Sequence, residues 1–157
     1  MNNNRIKSLS LSLLFLTVAL GSNIASAHPD GIIRIKSHNS VTVTIDKLQQ
    51  ALSKKGMTIF KRIDHAAGGE KVGIDIRPTE LLIFGNPKIG TKLMQCTQEA
   101  ALDLPQKALA YRDKSGQVWL IYNNPHYMAD RHHVEGCEKV INKFSNALAH
   151  FTKIAAE

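Results

Sequence analysis

The sequence lacks most of the patterns that identify an activity. It contains only two cysteines, Cys96 and Cys137, which form neither the Cys-x-x-Cys spacing of a redox dithiol nor the Cys-x-x-Cys-His motif that attaches haem. It also lacks the glycine spacing of a P-loop, a basic run interleaved with aromatic residues, and repeats of solenoid or propeller length. No residue set amounts to a recognisable catalytic constellation, and the sequence identifies no cofactor.

Apolar runs of membrane-spanning length are also missing. Arg5 and Lys7 precede a mostly apolar run over residues 9–20, and small residues at Ala25 and Ala27 follow it. The run is shorter than the ~20 residues of a transmembrane helix, and this order of segments is typical of a secretory signal peptide. The sequence therefore predicts a signal peptide over residues 1–27.

Export would leave a single domain, residues 28–157, in the periplasm or outside the cell, with no stable membrane span. Removal of Arg5 and Lys7 lowers the formal net charge from +7 to +5. The remaining cations are scattered singly or in pairs such as Lys54-Lys55, which is typical of a solvated surface. We therefore expect no nucleic-acid partner, and the sequence leaves the oligomeric state open.

The most informative stretch is a four-residue apolar run, residues 81–84, that meets a turn and a helix start. The run has no polar alternation, which predicts a central strand with both faces covered. Gly85 and Asn86 tolerate the backbone of a turn, and Pro87 suits the first position of a helix. We therefore expect a helix over residues 88–96.

Hydrophobic periodicity and turn residues predict the remaining elements. They are a strand at 33–35, a helix at 41–52, a strand at 57–64, a loop or frayed turn at 66–73, a hairpin of strands 106–112 and 117–123, a short helix at 127–132 and a long helix at 137–155. The short connections favour an α+β domain of two layers in the order β-α-β-β-α-β-β-α. We expect a mostly antiparallel sheet with helices on one face.

The turn after the apolar run is the best candidate for a ligand site. A helix amino terminus offers free N–H groups, Lys88 adds a positive charge and Thr91 a hydroxyl, which together suit a carboxylate or phosphate. The hypothesis places the end of the hairpin beside this turn, and the candidate residues are Asn86, Lys88, Thr91, Tyr122, Asn123 and His65. A plain strand-to-helix turn is the alternative.

Histidines supply a second hypothesis, a periplasmic metal or haem binder. His126, His132 and His133 crowd one segment, and Cys137 follows closely. Imidazole and thiolate groups are ligands for zinc and copper. The spacing fits no standard ligand template, which favours surface histidines instead.

The third hypothesis is an enzyme that uses His65. The neighbouring Asp64 would fix the imidazole tautomer for general acid–base chemistry. Neighbours in a strand point to opposite faces, however, and no nucleophile with an oxyanion partner accompanies the pair. The sequence favours a binding or accessory protein, for a small ligand or a protein partner, over an enzyme.

Several short motifs are shared with one family. They are Ile63 to Ala67, Arg77 to Lys88, Gly90-Thr91, Leu102 to Pro105 and Tyr122 to Pro125. Over roughly residues 32–135 the chain resembles the domain of unknown function 302 family of small bacterial α+β domains. The resemblance implies a compact two-layer antiparallel α/β domain and a family with no settled activity.

The two cysteines depart from the small or aliphatic residues expected at their positions in that family. Oxidising compartments pair thiols. Cys137 lies on the apolar stripe of the last predicted helix, and Cys96 lies on or beside the inward face of the helix after Pro87. We expect a Cys96–Cys137 disulfide, and two separate buried thiols are the alternative.

The first prediction concerns export. We expect cleavage after Ala27, so the intact mass of the exported protein should correspond to a chain that begins at His28. A mature protein that retains residues 1–27 would contradict the prediction.

Overall fold

The computed structural model describes Ser26–Ala27 and residues 31–157. The rest of the predicted signal peptide lies outside the described residues. Ser26–Ala27, which the prediction assigns to the end of that peptide, pairs as a short strand with the start of the domain.

The described chain forms a single antiparallel sheet with helices. The strands are β1 Ser26–Ala27, β2 Ile32–Ser37, β3 Thr58–Asp64, β4 Thr79–Gly85, β5 Gln106–Arg112 and β6 Val118–Asn123, in the spatial order β1-β2-β6-β5-β4-β3. The helices are α1 Val41–Lys54, α2 His65–Glu70, α3 Pro87–Cys96, α4 Pro125–Arg131 and α5 Glu138–Ala156, with a 3₁₀ helix at Gln98–Leu102. The α+β class and the predicted order are confirmed, and α4 corresponds to the short helix predicted at 127–132. Strand β1, helix α2 and the 3₁₀ helix add to the predicted elements.

Helices α1 and α5 pack against each other and cover one face of the sheet. Leu48 of α1 and Leu148 of α5 belong to the same core as Leu82 and Phe84 of β4, and Phe84 is fully buried. The 3.6-residue apolar period of both helices produces this packing. Helix α1 begins where the sequence predicts, since the Ser40 side chain accepts the Val43 N–H at 3.3 Å.

The prediction that both faces of β4 are covered is wrong. Buried and half-buried residues alternate along β4, and Leu81 and Ile83 lie half-buried on the face away from the core. Leu81 stands in register with Ile63 on one side and Leu109 on the other, so aliphatic neighbours shield one another across the strands. An unbroken apolar run therefore arises here without a second helix layer, and β4 lies between β3 and β5 rather than at the middle of the sheet.

The predicted hairpin is confirmed, and Asp113 holds its turn. The Asp113 carboxylate accepts the Ser115 hydroxyl at 2.6 Å, the Trp119 Nε1–H at 2.8 Å, and the backbone N–H groups of Ser115 and Gln117. These bonds, the Ser115 hydroxyl first, lower the pKa of Asp113 to about 2. Gly116 has φ +89°, a conformation that glycine adopts without strain.

Cys96 and Cys137 are joined in a disulfide between the end of α3 and the start of α5. Their Cα atoms lie 6.4 Å apart, inside the range that a bridge spans. Cys137 is buried, as its place on the apolar stripe of α5 predicts. Cys96 is exposed, so it lies beside the inward face of α3 rather than on it, because the bond forms at the surface end of the helix.

The second prediction concerns this bond. The closed loop spans 41 positions, so reduction should lower the free energy of unfolding by about 4 kcal/mol through loop entropy. Urea melts with and without reductant measure the loss, and peptide mapping identifies the linked peptides. The Cys96→Ser/Cys137→Ser protein is the control and should not respond to reductant. A reductant effect below about 1 kcal/mol on the wild type would contradict the estimate.

Candidate functional site

A cavity of about 270 Å³ opens beside the turn that joins β4 to α3. It lies between α3, the 3₁₀ helix and the adjoining ends of β3, β4 and β5. Its walls are formed by Met57, Phe60, Gly85, Asn86, Pro87, Ile89, Gly90, Thr91, Leu93, Met94, Ala101, Leu104, Pro105, Gln106 and Phe144.

The local sequence fixes the α3 wall. The Asn86 side-chain oxygen accepts the Lys88 N–H at 3.0 Å, and Pro87 occupies the first turn, so the helix begins directly after β4. Leu93 anchors α3 in the core and is fully buried. Gly90 leaves space on this wall, because a Cβ atom there would meet only Leu104 Cδ1, at 3.8 Å.

The floor of the cavity includes one buried polar side chain, Gln106. It is the first residue of β5, stands opposite Phe84 in the β4–β5 register, and is 2% exposed. Its Nε2 donates to the carbonyl oxygen of Asn123 at 2.9 Å. This bond ties the end of β6 to the cavity.

The side chains that form the cavity walls are mostly apolar. Methionine, phenylalanine, leucine and isoleucine side chains supply most of the lining, and no charged side chain of the described chain is part of it. Phe60 stands at the edge with half of its surface exposed. Such a surface favours a ligand that buries carbon atoms over one that carries a full charge.

The six residues of the ligand hypothesis do not form one site. Asn86 and Thr91 line the cavity, and the backbone of Asn123 reaches it through Gln106. Lys88 is exposed outside the lining. Tyr122 belongs to the core at 4% exposure, where burial raises the pKa of its hydroxyl against the opposing effect of a hydrogen bond with Thr152.

Among the described residues, the side chains of Asp64 and His65 are not hydrogen-bonded to each other. Asp64 is the N-cap of α2, and its carboxylate accepts the Ala67 N–H at 2.9 Å. His65 is the first residue of that helix and is exposed, outside the cavity lining. The segment predicted as a loop or frayed turn therefore begins as a short helix, because Asp64 satisfies one of its free N–H groups.

The three clustered histidines have different surroundings. His132 is buried and its Nε2 lies 2.7 Å from Oδ2 of Asp103, whereas His126 and His133 are exposed. Cys137 is held in the disulfide and so supplies no thiolate. Within the described part of the chain, no three side chains of the metal-binding types converge to hold an ion.

The sequence predicts a ligand site at the turn beside this cavity, but sequence reasoning missed the apolar walls and the role of Gln106. A signal for Gln106 existed: it shares the inward phase of β5 with Ala108 and Ala110, where a polar residue is unusual. The other walls come from distant segments, including Met57, Met94 and Phe144, and no local pattern unites them.

Residues 26–27 and 31–157 contain no helix with the length and apolar character needed to cross a bilayer. Residues 33–151 match the model of the family described as "Domain of unknown function DUF302".

The curated relatives have higher sequence identity to this chain than the solved structure described in the next paragraph. The chain is 45% identical over 109 residues to "Fluoride-specific ion channel FluC 1" of Brucella suis biovar 1, a match that covers 69% of this chain and 43% of that protein. "Fluoride-specific ion channel FluC 2" of Brucella melitensis biotype 1 is also 45% identical, and the match covers 40% of its length. The chain thus spans less than half the length of these relatives.

The crystal structure of an uncharacterized conserved DUF302 protein from Bacillus stearothermophilus shares the fold. Its TM-score is 0.72 at 15% identity, and the match covers 80% of this chain and 98% of that chain. The family match spans most of the described domain, and the chain belongs to the DUF302 family.

Proposed function

We propose that this chain is an exported binding domain whose ligand is a small, largely apolar molecule held in the cavity beside α3. The observation that carries the proposal is the cavity itself. Ligand sites in proteins are typically clefts with mostly apolar walls and a few polar groups, and this cavity has that composition. An opening of about 270 Å³ with apolar walls approaches the size of small-ligand pockets.

The cavity is built on a wall that is fixed at both ends. The Asn86 cap and Pro87 set the start of α3, and the disulfide fixes its end to α5. Leu93 anchors the helix between them. A preformed wall lowers the entropic cost of binding, because little of the protein must order around the ligand.

The charge distribution favours an apolar ligand over the anion of the sequence-based hypothesis. Lys88 projects outside the lining, and the Asn86 oxygen already occupies the Lys88 N–H. A carboxylate or phosphate in the cavity would lose its hydration without a cation to compensate it. The predicted signal peptide is consistent with binding of this ligand in the periplasm.

The third prediction tests occupancy with ethylbenzene as the probe. Titration into the protein should shift the backbone amide resonances of cavity residues such as Gly85 and Gly90. Gly90→Leu should weaken binding at least about tenfold, because the added side chain would occupy space that the probe needs.

Gly68→Leu is the matched control. Gly68 lies in the short helix α2, and a Cβ atom added there would meet no other atom within 4 Å, so the same change projects into open space. Binding by this variant should equal that of the wild type. Wild-type protein with no saturable shifts from either ethylbenzene or 4-ethylphenol, or equal binding by the Gly90→Leu protein, would overturn the proposal.

A second candidate function follows from the relatives. They are named fluoride-specific ion channels, and the matched residues form less than half of their length. We propose that a domain of this kind serves as an accessory module to such a channel. The identity of 45% over 109 residues supports a shared role for the domain.

The fourth prediction tests the accessory role in the Brucella suis protein. Vesicles that contain this protein without its matched residues should release fluoride at a rate different from vesicles that contain the whole protein. A fluoride electrode measures the release, and addition of the purified chain described above should restore part of the difference. Equal rates from the whole and shortened proteins would contradict an accessory role.

A further inference from the structure

We infer that the cavity selects ligands that carry a hydrogen-bond donor, such as an alcohol or a phenol, through Oε1 of Gln106. The inference rests on the proposed binding function and narrows the class of ligand.

The orientation of that carboxamide follows from its partner. The Asn123 carbonyl is an acceptor, so the atom of Gln106 that lies 2.9 Å from it must be the amide nitrogen. The other atom of the carboxamide is therefore the oxygen. The assignment follows from hydrogen-bond chemistry, because two oxygens at this distance would repel each other.

The Oε1 atom of Gln106 accepts no hydrogen bond from the described residues. Each fully enclosed side-chain nitrogen or oxygen atom among the described residues has a hydrogen-bond partner. The Oε1 atom of Gln106 has no such partner among them, so it is not fully enclosed, although the residue is only 2% exposed. Gln106 lines the cavity, and the inference therefore places the accessible part of Oε1 in that space.

The position of this acceptor is fixed before a ligand arrives. The β4–β5 register holds the backbone of Gln106 opposite Phe84, and the bond to Asn123 holds its amide group. Apolar walls surround it, which strengthens a hydrogen bond made there and raises the cost of leaving the acceptor unpaired. A fixed acceptor in an apolar cavity discriminates by chemistry as well as by shape.

The same geometry disfavours two other classes of ligand. A carboxylate offers only acceptors, which would face the acceptor Oε1 with no cation in the lining. A pure hydrocarbon fills the space but leaves Oε1 unpaired. A compact molecule with one hydroxyl or N–H group at its end satisfies both the walls and the carboxamide.

The fifth prediction compares two probes of matched shape, 4-ethylphenol and ethylbenzene. The measured quantity is the ratio of their dissociation constants, which cancels effects common to both probes. From wild type to Gln106→Leu, the ratio should shift against 4-ethylphenol by about fivefold, the value of one neutral buried hydrogen bond. Amide shift titrations give both constants, and the Gln106 side-chain amide signal should move with 4-ethylphenol more than with ethylbenzene.

Gln95→Leu is the control, because it makes the same chemical change on the exposed face of α3, outside the cavity lining. Its ratio should equal that of the wild type. If Gln106→Leu does not fold, Gln106→Met replaces it, because methionine keeps the length of the side chain. The Gln106 side-chain amide signal of the wild type also tests the inference without any variant. An unchanged ratio with both probes bound overturns the inference and leaves the binding function standing, whereas binding of neither probe rejects both.

Discussion

The inward phase of strands β4 and β5 is the constraint on which the core and the cavity both depend. Antiparallel register places Leu82 and Phe84 beside Ala108 and Gln106, so these side chains point to the same face. Helices α1 and α5 cover most of that face. At its end, beyond Phe84, the cover changes to α3 and the 3₁₀ helix, and the packing leaves an opening.

The opening lies at the edge of a well-packed core, so the proposed binding site and the core are separate parts of the domain. The aliphatic residues of α1, α5 and the inner sheet face are close to fully buried and form one continuous core. The cavity lies at the edge of that core, where a larger residue in place of Gly90 would extend the packing. The disulfide at the end of α3 stabilises the fold by restricting the unfolded chain.

Membership of the DUF302 family accounts for the fold of this chain. The Bacillus stearothermophilus structure shares the fold at 15% identity, a level at which side chains in a site change freely. Folds host many functions, and the chemistry of a particular site is set by its own residues. The function of this chain therefore depends on its own side chains. They are the Gln106 carboxamide, the methionine and phenylalanine side chains of the cavity, and the Cys96–Cys137 disulfide.

The sequence by itself determined the elements whose signals are local. The apolar period of α1 and α5, the alternation and turn residues of the β5–β6 hairpin, and the Gly85 to Pro87 turn before α3 depend on neighbours in the chain. The class of the fold and the predicted order of strands and helices followed from them. The expected export and the two cysteines also predicted a bond that the structure contains.

Only the tertiary structure decided where the empty space lies and which atoms face it. The walls come from β3, α3, the 3₁₀ helix, β5 and α5, and their approach depends on packing between residues distant in sequence. For the same reason the cavity lining differs from the predicted ligand site. Tyr122 lies in the core, Lys88 is exposed outside the lining, and the polar Gln106 occupies an inward position where an apolar residue is expected. Periodicity gives the face on which a side chain lies, whereas a cavity is set by the distances between faces, which sequence patterns do not contain.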